Sequence, residues 1–234
     1  MKDLPGLPSR RGFLKGSVAG AALLPLATAH AVAQSKTEEP PLADYKPVYL
    51  SADEWSFVMA ACDRLIPAGG DGPGALECRV PVFIDRQLGG EFGKAETWYM
   101  QGPYAPDADP KLGFQSPLSP AQIYREAIPV FQGWCQKTHN DSFEKLDAET
   151  QTSALTALQK GDVALKAELR DFFSFLLANT KEGYFADPSH GGNYQMQAWA
   201  YIGFPGARGA YSEWVGRENA KYPLGPVALN GDRT

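Results

Sequence analysis

The stretch that decides the fold runs from Ser51 to Ile66 and reads SADEWSFVMAACDRLI. Its first residues, Ser51 and Glu54, have the spacing of a capping box, in which each side chain binds the backbone amide of the other residue. Large apolar residues then recur at intervals of three and four, as in an amphipathic helix: Trp55, Val58, Met59, Cys62, Leu65 and Ile66. Pro67 and the glycines after it predict where this helix ends.

Similar signals predict further helices toward the C-terminus. They are expected over 80–88, stopped by Gly89 and Gly90, after Ser119, from Asp147 to Gly161, and over 165–177. The helix after Ser119 is predicted to kink at Pro129 and to bury one apolar face, formed by Ile123, Ala127, Val130, Phe131 and Trp134. No stretch alternates convincingly like a strand. The sequence therefore predicts a mainly α protein, with a single compact helical domain and long irregular loops over residues 51–234.

The N-terminus has the pattern of an export signal. Ser9–Lys15 reads SRRGFLK, a complete twin-arginine motif with Arg10 and Arg11, and a short apolar stretch with small residues follows it. Residues 1–33 are therefore predicted to be a twin-arginine signal peptide, with an ordinary secretory signal and an uncleaved membrane anchor as alternatives. The proline-rich residues 34–50 are predicted to form an extended linker. We expect a bacterial protein in the periplasm or at the periplasmic face of the inner membrane.

Composition excludes several classes of function. The chain has 234 residues, is 44% hydrophobic and 21% charged, and carries a formal net charge of −5, which is typical of one globular domain. No basic tract follows the leader, so nucleic-acid binding is not expected. An acidic body is likewise a poor fit to anionic lipid.

The motifs that hold cofactors are missing from the sequence. There is no Cys-x-x-Cys-His for haem c, the three cysteines are too few for an iron–sulfur cluster, and the glycine-rich stretch 69–74 follows a helix rather than a strand. Only His139 and His190 remain beyond the leader, which excludes a multi-histidine metal centre. Because twin-arginine export carries folded proteins, we expect this chain to supply the signal for a partner that holds the cofactor.

Two irregular segments are candidates for function. The first covers 99–120 and has the length of a binding loop. The second covers 183–206 and mixes turn formers with large aromatic residues. It fits a buried structural loop, a surface that docks a partner, or an active site around Asp187 and His190. The candidate partner contacts are Tyr184, Phe185, His190, Trp199 and Phe204.

Several motifs resemble the gluconate 2-dehydrogenase small subunit family, also called gamma or subunit 3. They are DRLIP (63–67), GPGALE (72–77), VPVFID (80–85), EGYFADP (182–188), GGN (191–193) and GFPG (203–206). The resemblance implies a non-catalytic subunit of a membrane-bound periplasmic dehydrogenase, needed for export, maturation and stability of its large partner. That partner would be a glucose-methanol-choline-type flavoprotein with FAD, and a multihaem cytochrome c would pass electrons on.

The resemblance does not choose the substrate or exclude every other role. Related complexes act on gluconate, 2-ketogluconate, fructose, sorbitol or glucose, and oxidation of gluconate to 2-dehydrogluconate is the reaction we expect. The chain itself would hold no cofactor and no metal. The alternatives are a stand-alone periplasmic enzyme that uses the Asp187–His190 loop and a maturation chaperone that leaves its client.

Three cysteines are an odd number for an oxidising compartment. Cys62 and Cys78 are a candidate disulfide pair, and two buried free thiols are the alternative. Cys135 is then left over and becomes a candidate for an intersubunit disulfide with the large subunit.

Overall fold

The computed structural model describes residues 40–234, which form one unit of seven α-helices. The helices are α1 (Ala52–Leu65), α2 (Val80–Gly89), α3 (Glu91–Lys94), α4 (Pro120–His139), α5 (Ala148–Lys160), α6 (Phe172–Phe185) and α7 (Gln197–Ile202). Short 3-10 turns separate several of them, and the described part of the chain contains isolated β-bridges but no strand. The predicted mainly α fold is confirmed. The leader, with Arg10 and Arg11, lies outside the described residues.

Helix α1 begins as its sequence predicts. The Ser51 hydroxyl accepts a hydrogen bond from the backbone amide of Glu54. A carboxylate oxygen of Glu54 in turn accepts a hydrogen bond from the backbone amide of Ser51, at 2.8 Å. The same carboxylate binds Arg125 of α4, which joins the start of α1 to a second helix. The capping box therefore fixes both the first turn of α1 and its place against α4.

The centre of the core is a residue of α1 that its apolar spacing did not single out. Phe57 is fully buried, and its ring lies 5.8, 5.3 and 6.1 Å from the rings of Phe131, Phe143 and Phe172. These partners come from α4, α6 and the short turn before α5. One aromatic side chain thus contacts three separate parts of the chain.

Helix α4 buries most of the predicted apolar face, since Ile123, Ala127 and Phe131 are fully buried. It starts at a second capping box, formed by Ser119 and Gln122, and it continues through Pro129. Val130 is exposed, and the buried face also includes residues that the prediction left out: Tyr124, Ile128 and Cys135. Phe131 contacts Phe57 in the aromatic core, so the apolar face of α4 is wider than predicted and turned away from Val130.

The helix predicted over 165–177 lies further along the chain. Residues Ala167–Leu169 form a 3-10 turn, and α6 begins only at Phe172. The carbonyl of Glu168 accepts the Ser116 hydroxyl at 2.8 Å, and Arg170 binds the carbonyl of Ala108. These contacts tie residues 167–170 to the long loop before α4 and use a carbonyl that a helix would need.

The described part of the predicted linker is fastened to the body. The carboxylate of Asp85 in α2 is fully buried and accepts hydrogen bonds from the Tyr45 hydroxyl and from the amides of Val48, Tyr49 and Leu50, at 2.7–3.0 Å. Residues 45–50 are therefore held against α2 by one carboxylate. Nothing in their sequence pointed to this contact.

Candidate docking surface

The residues predicted to contact a partner divide into two groups. Tyr184 and Trp199 are buried, whereas Phe185 is 45% exposed, Phe204 is 44% exposed, and His190 also lies at the surface. Helix α6 extends to Phe185, so Tyr184 and Phe185 belong to a helix rather than to the irregular segment. Only the exposed members can contact another protein in this conformation.

The buried members hold the exposed ones in place. The indole nitrogen of Trp199 donates to the carbonyl of Phe185 at 2.7 Å, and the Trp199 ring meets the Phe204 ring edge-on at 5.0 Å. The Tyr184 hydroxyl donates to the carbonyl of Pro73 at 2.7 Å. Because both buried side chains make hydrogen bonds and ring contacts, they act as supports of the surface.

Two exposed residues were missed as candidate contacts. Tyr201 is 53% exposed and Ile202 is 54% exposed, both at the end of α7. Phe185 and Phe204 both contact the buried Trp199, and Tyr201 and Ile202 follow Trp199 by two and three residues. We call these four exposed side chains the aromatic face: Phe185, Tyr201, Ile202 and Phe204. The signal in the sequence was weak, because α7 is only six residues long and shows no full period.

Glycines allow the backbone of this region to close tightly. A Cβ atom at Gly183 would lie 2.8 Å from Cδ1 of Phe83, and one at Gly192 would overlap the carbonyl of Gly183. The side chain of Asn193 is buried. It donates a hydrogen bond to the carbonyl of Ala186 and accepts one from the backbone amide of Ala198, each at 3.0 Å. The GGN motif therefore packs the segment against α6 and α7.

Asp187 has a structural role in this turn. One of its oxygens accepts a hydrogen bond from the backbone amide of Ser189 at 3.0 Å, and the other accepts one from the backbone amide of Leu229 at 2.7 Å. Burial alone would raise the pKa of Asp187, but these hydrogen bonds and the nearby His190 outweigh burial and hold the pKa below its usual value. The carboxylate thus caps a 3-10 turn and binds the C-terminal segment.

A cleft opens beside the aromatic face. It has a volume of about 510 Å³ and lies between α7 and the loop of residues 69–74, which we call the glycine loop. Its lining consists of Gly69, Gly70, Asp71, Gly72, Pro73, Glu77, Gln197, Ala200 and Tyr201. The glycine loop forms a wall of this surface cleft, after a helix, as the sequence predicts.

The three cysteines are free thiols, and all are buried. Cys62 lies 3.7 Å from the Thr180 hydroxyl, and the predicted disulfide between Cys62 and Cys78 is absent from the structure. Burial raises the pKa of Cys62, Cys78 and Cys135 to about 12, so these thiols stay protonated and unreactive near neutral pH. The thiol of Cys135 does not reach the surface, where an intersubunit disulfide would have to form.

Within residues 40–234, no group of three or more His, Cys, Asp or Glu side chains is placed to hold a metal ion. None of the helices described there is both long and apolar enough to cross a membrane.

Comparison with known proteins agrees with the motifs on this surface. The family model described as gluconate 2-dehydrogenase subunit 3 matches residues 52–206, a range that contains the glycine loop, the Asp187 turn and the aromatic face. Neither the curated proteins nor the solved structures give a match to the chain. The family model spans more than half of the sequence, and the chain therefore belongs to the gluconate 2-dehydrogenase subunit 3 family.

Proposed function

We propose that this chain is the small subunit of a membrane-bound gluconate 2-dehydrogenase-like complex and binds the flavoprotein large subunit through the aromatic face. The observation that carries the proposal is the exposure of four large apolar side chains, each 44–54% exposed, on a surface supported from within. Exposed apolar residues grouped in this way are typical of protein–protein interfaces.

The chemistry of the complex belongs to its other subunits in this proposal. The large subunit holds FAD and oxidises gluconate to 2-dehydrogluconate, and a multihaem cytochrome c subunit receives the electrons. This chain holds no flavin, haem or metal and supports export, maturation and stability of the flavoprotein. The cofactor motifs that its sequence lacks favour this division of work.

Export is the second half of the proposal. The SRRGFLK motif of residues 9–15 would direct this chain, with the folded flavoprotein bound to it, through the twin-arginine pathway to the periplasmic face of the inner membrane. Replacing Arg10 and Arg11 by Lys should leave both subunits in the cytoplasm. Flavoprotein activity in the periplasm of that strain would show that the large subunit does not depend on this leader.

The test is a pull-down of this chain, tagged after Thr234, from solubilised membranes, followed by an absorbance spectrum and an assay with gluconate and an artificial acceptor. We expect a yellow complex with a large flavoprotein and gluconate-dependent reduction of the acceptor. A colourless chain that purifies alone would overturn the proposal and turn attention to the Asp187–His190 turn.

Variants of the aromatic face decide whether it is the interface. Phe204→Ala should weaken the complex by about 2 kcal/mol if Phe204 is an interface hot spot. Tyr99→Ala is the matched control, since Tyr99 is also exposed but does not belong to the aromatic face. Equal loss of binding in both variants, or in neither, would place the interface elsewhere.

A further inference from the structure

We propose that the cleft between the glycine loop and α7 receives an arginine side chain of the flavoprotein subunit. The guanidinium would stack on the ring of Tyr201 and pair with the carboxylates of Asp71 and Glu77. The inference rests on the proposed function, because it names the chemistry that the partner brings to the same surface.

The shape of the cleft suits one long side chain. Three of the lining residues are glycines, which leave the volume of about 510 Å³ unfilled. Tyr201 packs directly against one of them, since a Cβ atom at Gly72 would lie 2.7 Å from Cε1 of the ring. The ring is nevertheless 53% exposed, so it is held by the glycine loop and still accessible to a partner.

The charge of the cleft selects a cation. Asp71 and Glu77 line it, and its lining contains no Lys, Arg or His. One oxygen of Glu77 accepts the amide of Gly74 at 2.6 Å, which fixes the side chain and leaves its second oxygen available. Opposite charge on the partner is therefore the complementary choice.

The remaining polar side chain in the cleft also offers an acceptor. The side-chain amide nitrogen of Gln197 donates to the carbonyls of Glu77 and Tyr194, at 3.3 and 3.1 Å, so its oxygen is the group without a described partner. Two carboxylates, an amide oxygen and an aromatic ring match a planar cation with several N–H donors. Arginine has this shape, binds carboxylates through two N–H groups and stacks on tyrosine, whereas lysine presents a compact point charge.

The first experiment removes the charge and keeps the shape. Asp71→Asn combined with Glu77→Gln retains an oxygen that can accept the amide of Gly74, so the glycine loop should stay folded. We expect the purified variant to bind the flavoprotein subunit about tenfold more weakly than the wild type at low salt, with a flatter dependence of affinity on salt. Glu126→Gln combined with Asp162→Asn is the control, because it makes the same change of charge at exposed residues outside the cleft.

The second experiment tests the ring. Tyr201→Phe keeps the aromatic face of the side chain and should bind like the wild type, whereas Tyr201→Leu should bind more weakly by a similar factor. Because Tyr201 also belongs to the aromatic face, the charge variant decides between the two proposals. If Asp71→Asn combined with Glu77→Gln binds like the control, in a complex that still forms, the arginine site is overturned and the proposed function stays intact. A wild-type chain that binds no flavoprotein would overturn both.

Discussion

Two buried aspartates, Asp85 and Asp187, hold the two ends of the described chain in different ways. Asp85 is fully buried and accepts four hydrogen bonds from residues 45–50, whereas Asp187 is 8% exposed and accepts one from Ser189 and one from Leu229. Both aspartates lie inside the family match, and the distant residues that they hold lie outside it. The comparison shows that residues inside the family match can anchor segments that lie outside it, through a larger or a smaller number of hydrogen bonds.

The largest expected effect comes from removing the deeper anchor. Asp85→Ala leaves three backbone amides and the Tyr45 hydroxyl without their acceptor, and the loss is most costly at the buried amide of Leu50. We expect the free energy of unfolding to fall by about 3 kcal/mol or more. Chemical denaturation measures this, with Asp162→Ala as the exposed control; a loss equal to that of the control would mean that water replaces the carboxylate at no cost.

Removing the shallower anchor should have a smaller and more local effect. Asp187→Ala removes the carboxylate that accepts the amide hydrogen bond of Leu229 and that caps the 3-10 turn Pro188–His190. The free energy of unfolding should fall by about 1–2 kcal/mol. Hydrogen exchange should show faster exchange at the Leu229 amide while the amides of Val48 and Leu50 stay protected. Uniform loss of protection would show that the two anchors belong to one cooperative unit.

A single donor of the Asp85 anchor can be deleted without touching the carboxylate. Tyr45→Phe removes one of the four hydrogen bonds and keeps the ring, which lies 5.2 Å from the ring of Trp55. We expect a loss of about 1 kcal/mol in the free energy of unfolding. If Tyr45→Phe costs as much as Asp85→Ala, the hydroxyl and not the set of amides would be the main contact.

The smallest effect is a change in the pH dependence of stability. The folded state lowers the pKa of Asp187, so its contribution is fully present above the ordinary aspartate pKa of about 3.9 and is lost as pH falls through the lower, folded value. Asp187→Asn should therefore be less stable than the wild type at pH 6, with the difference shrinking in acid. A difference that stays constant down to the acid limit would contradict the lowered pKa.

Local signals in the sequence predicted the parts of the fold that local chemistry controls. The starts of α1, α4 and α5 are confirmed, because Ser51, Ser119 and Asp147 cap them with their own side chains. The predicted start of α6 was wrong, because residues 167–170 form hydrogen bonds with Ser116 and with the loop before α4, which are distant in sequence. Long-range contacts of that kind leave no periodic pattern to detect.

The candidate site was only partly predictable for the same reason. The sequence singled out the aromatic residues between 183 and 206 as a group, but burial separates Trp199 from Phe204, although their rings touch. The residue types around Asp187 and His190 gave no sign that Asp187 also accepts a hydrogen bond from the amide of Leu229. Side-chain exposure and the partner of a carboxylate are set by the folded chain, so residue types alone did not fix them.

The glycines at the crossing of α6 and the GGN motif have a practical consequence for protein engineering. Gly183 and Gly192 fix the backbone from the inside, and none of the four side chains of the aromatic face takes part in that contact. A combinatorial library can therefore randomise positions 185, 201, 202 and 204 while the two glycines and Asn193 stay constant. Selection from such a library would test whether the aromatic face decides which protein the chain binds.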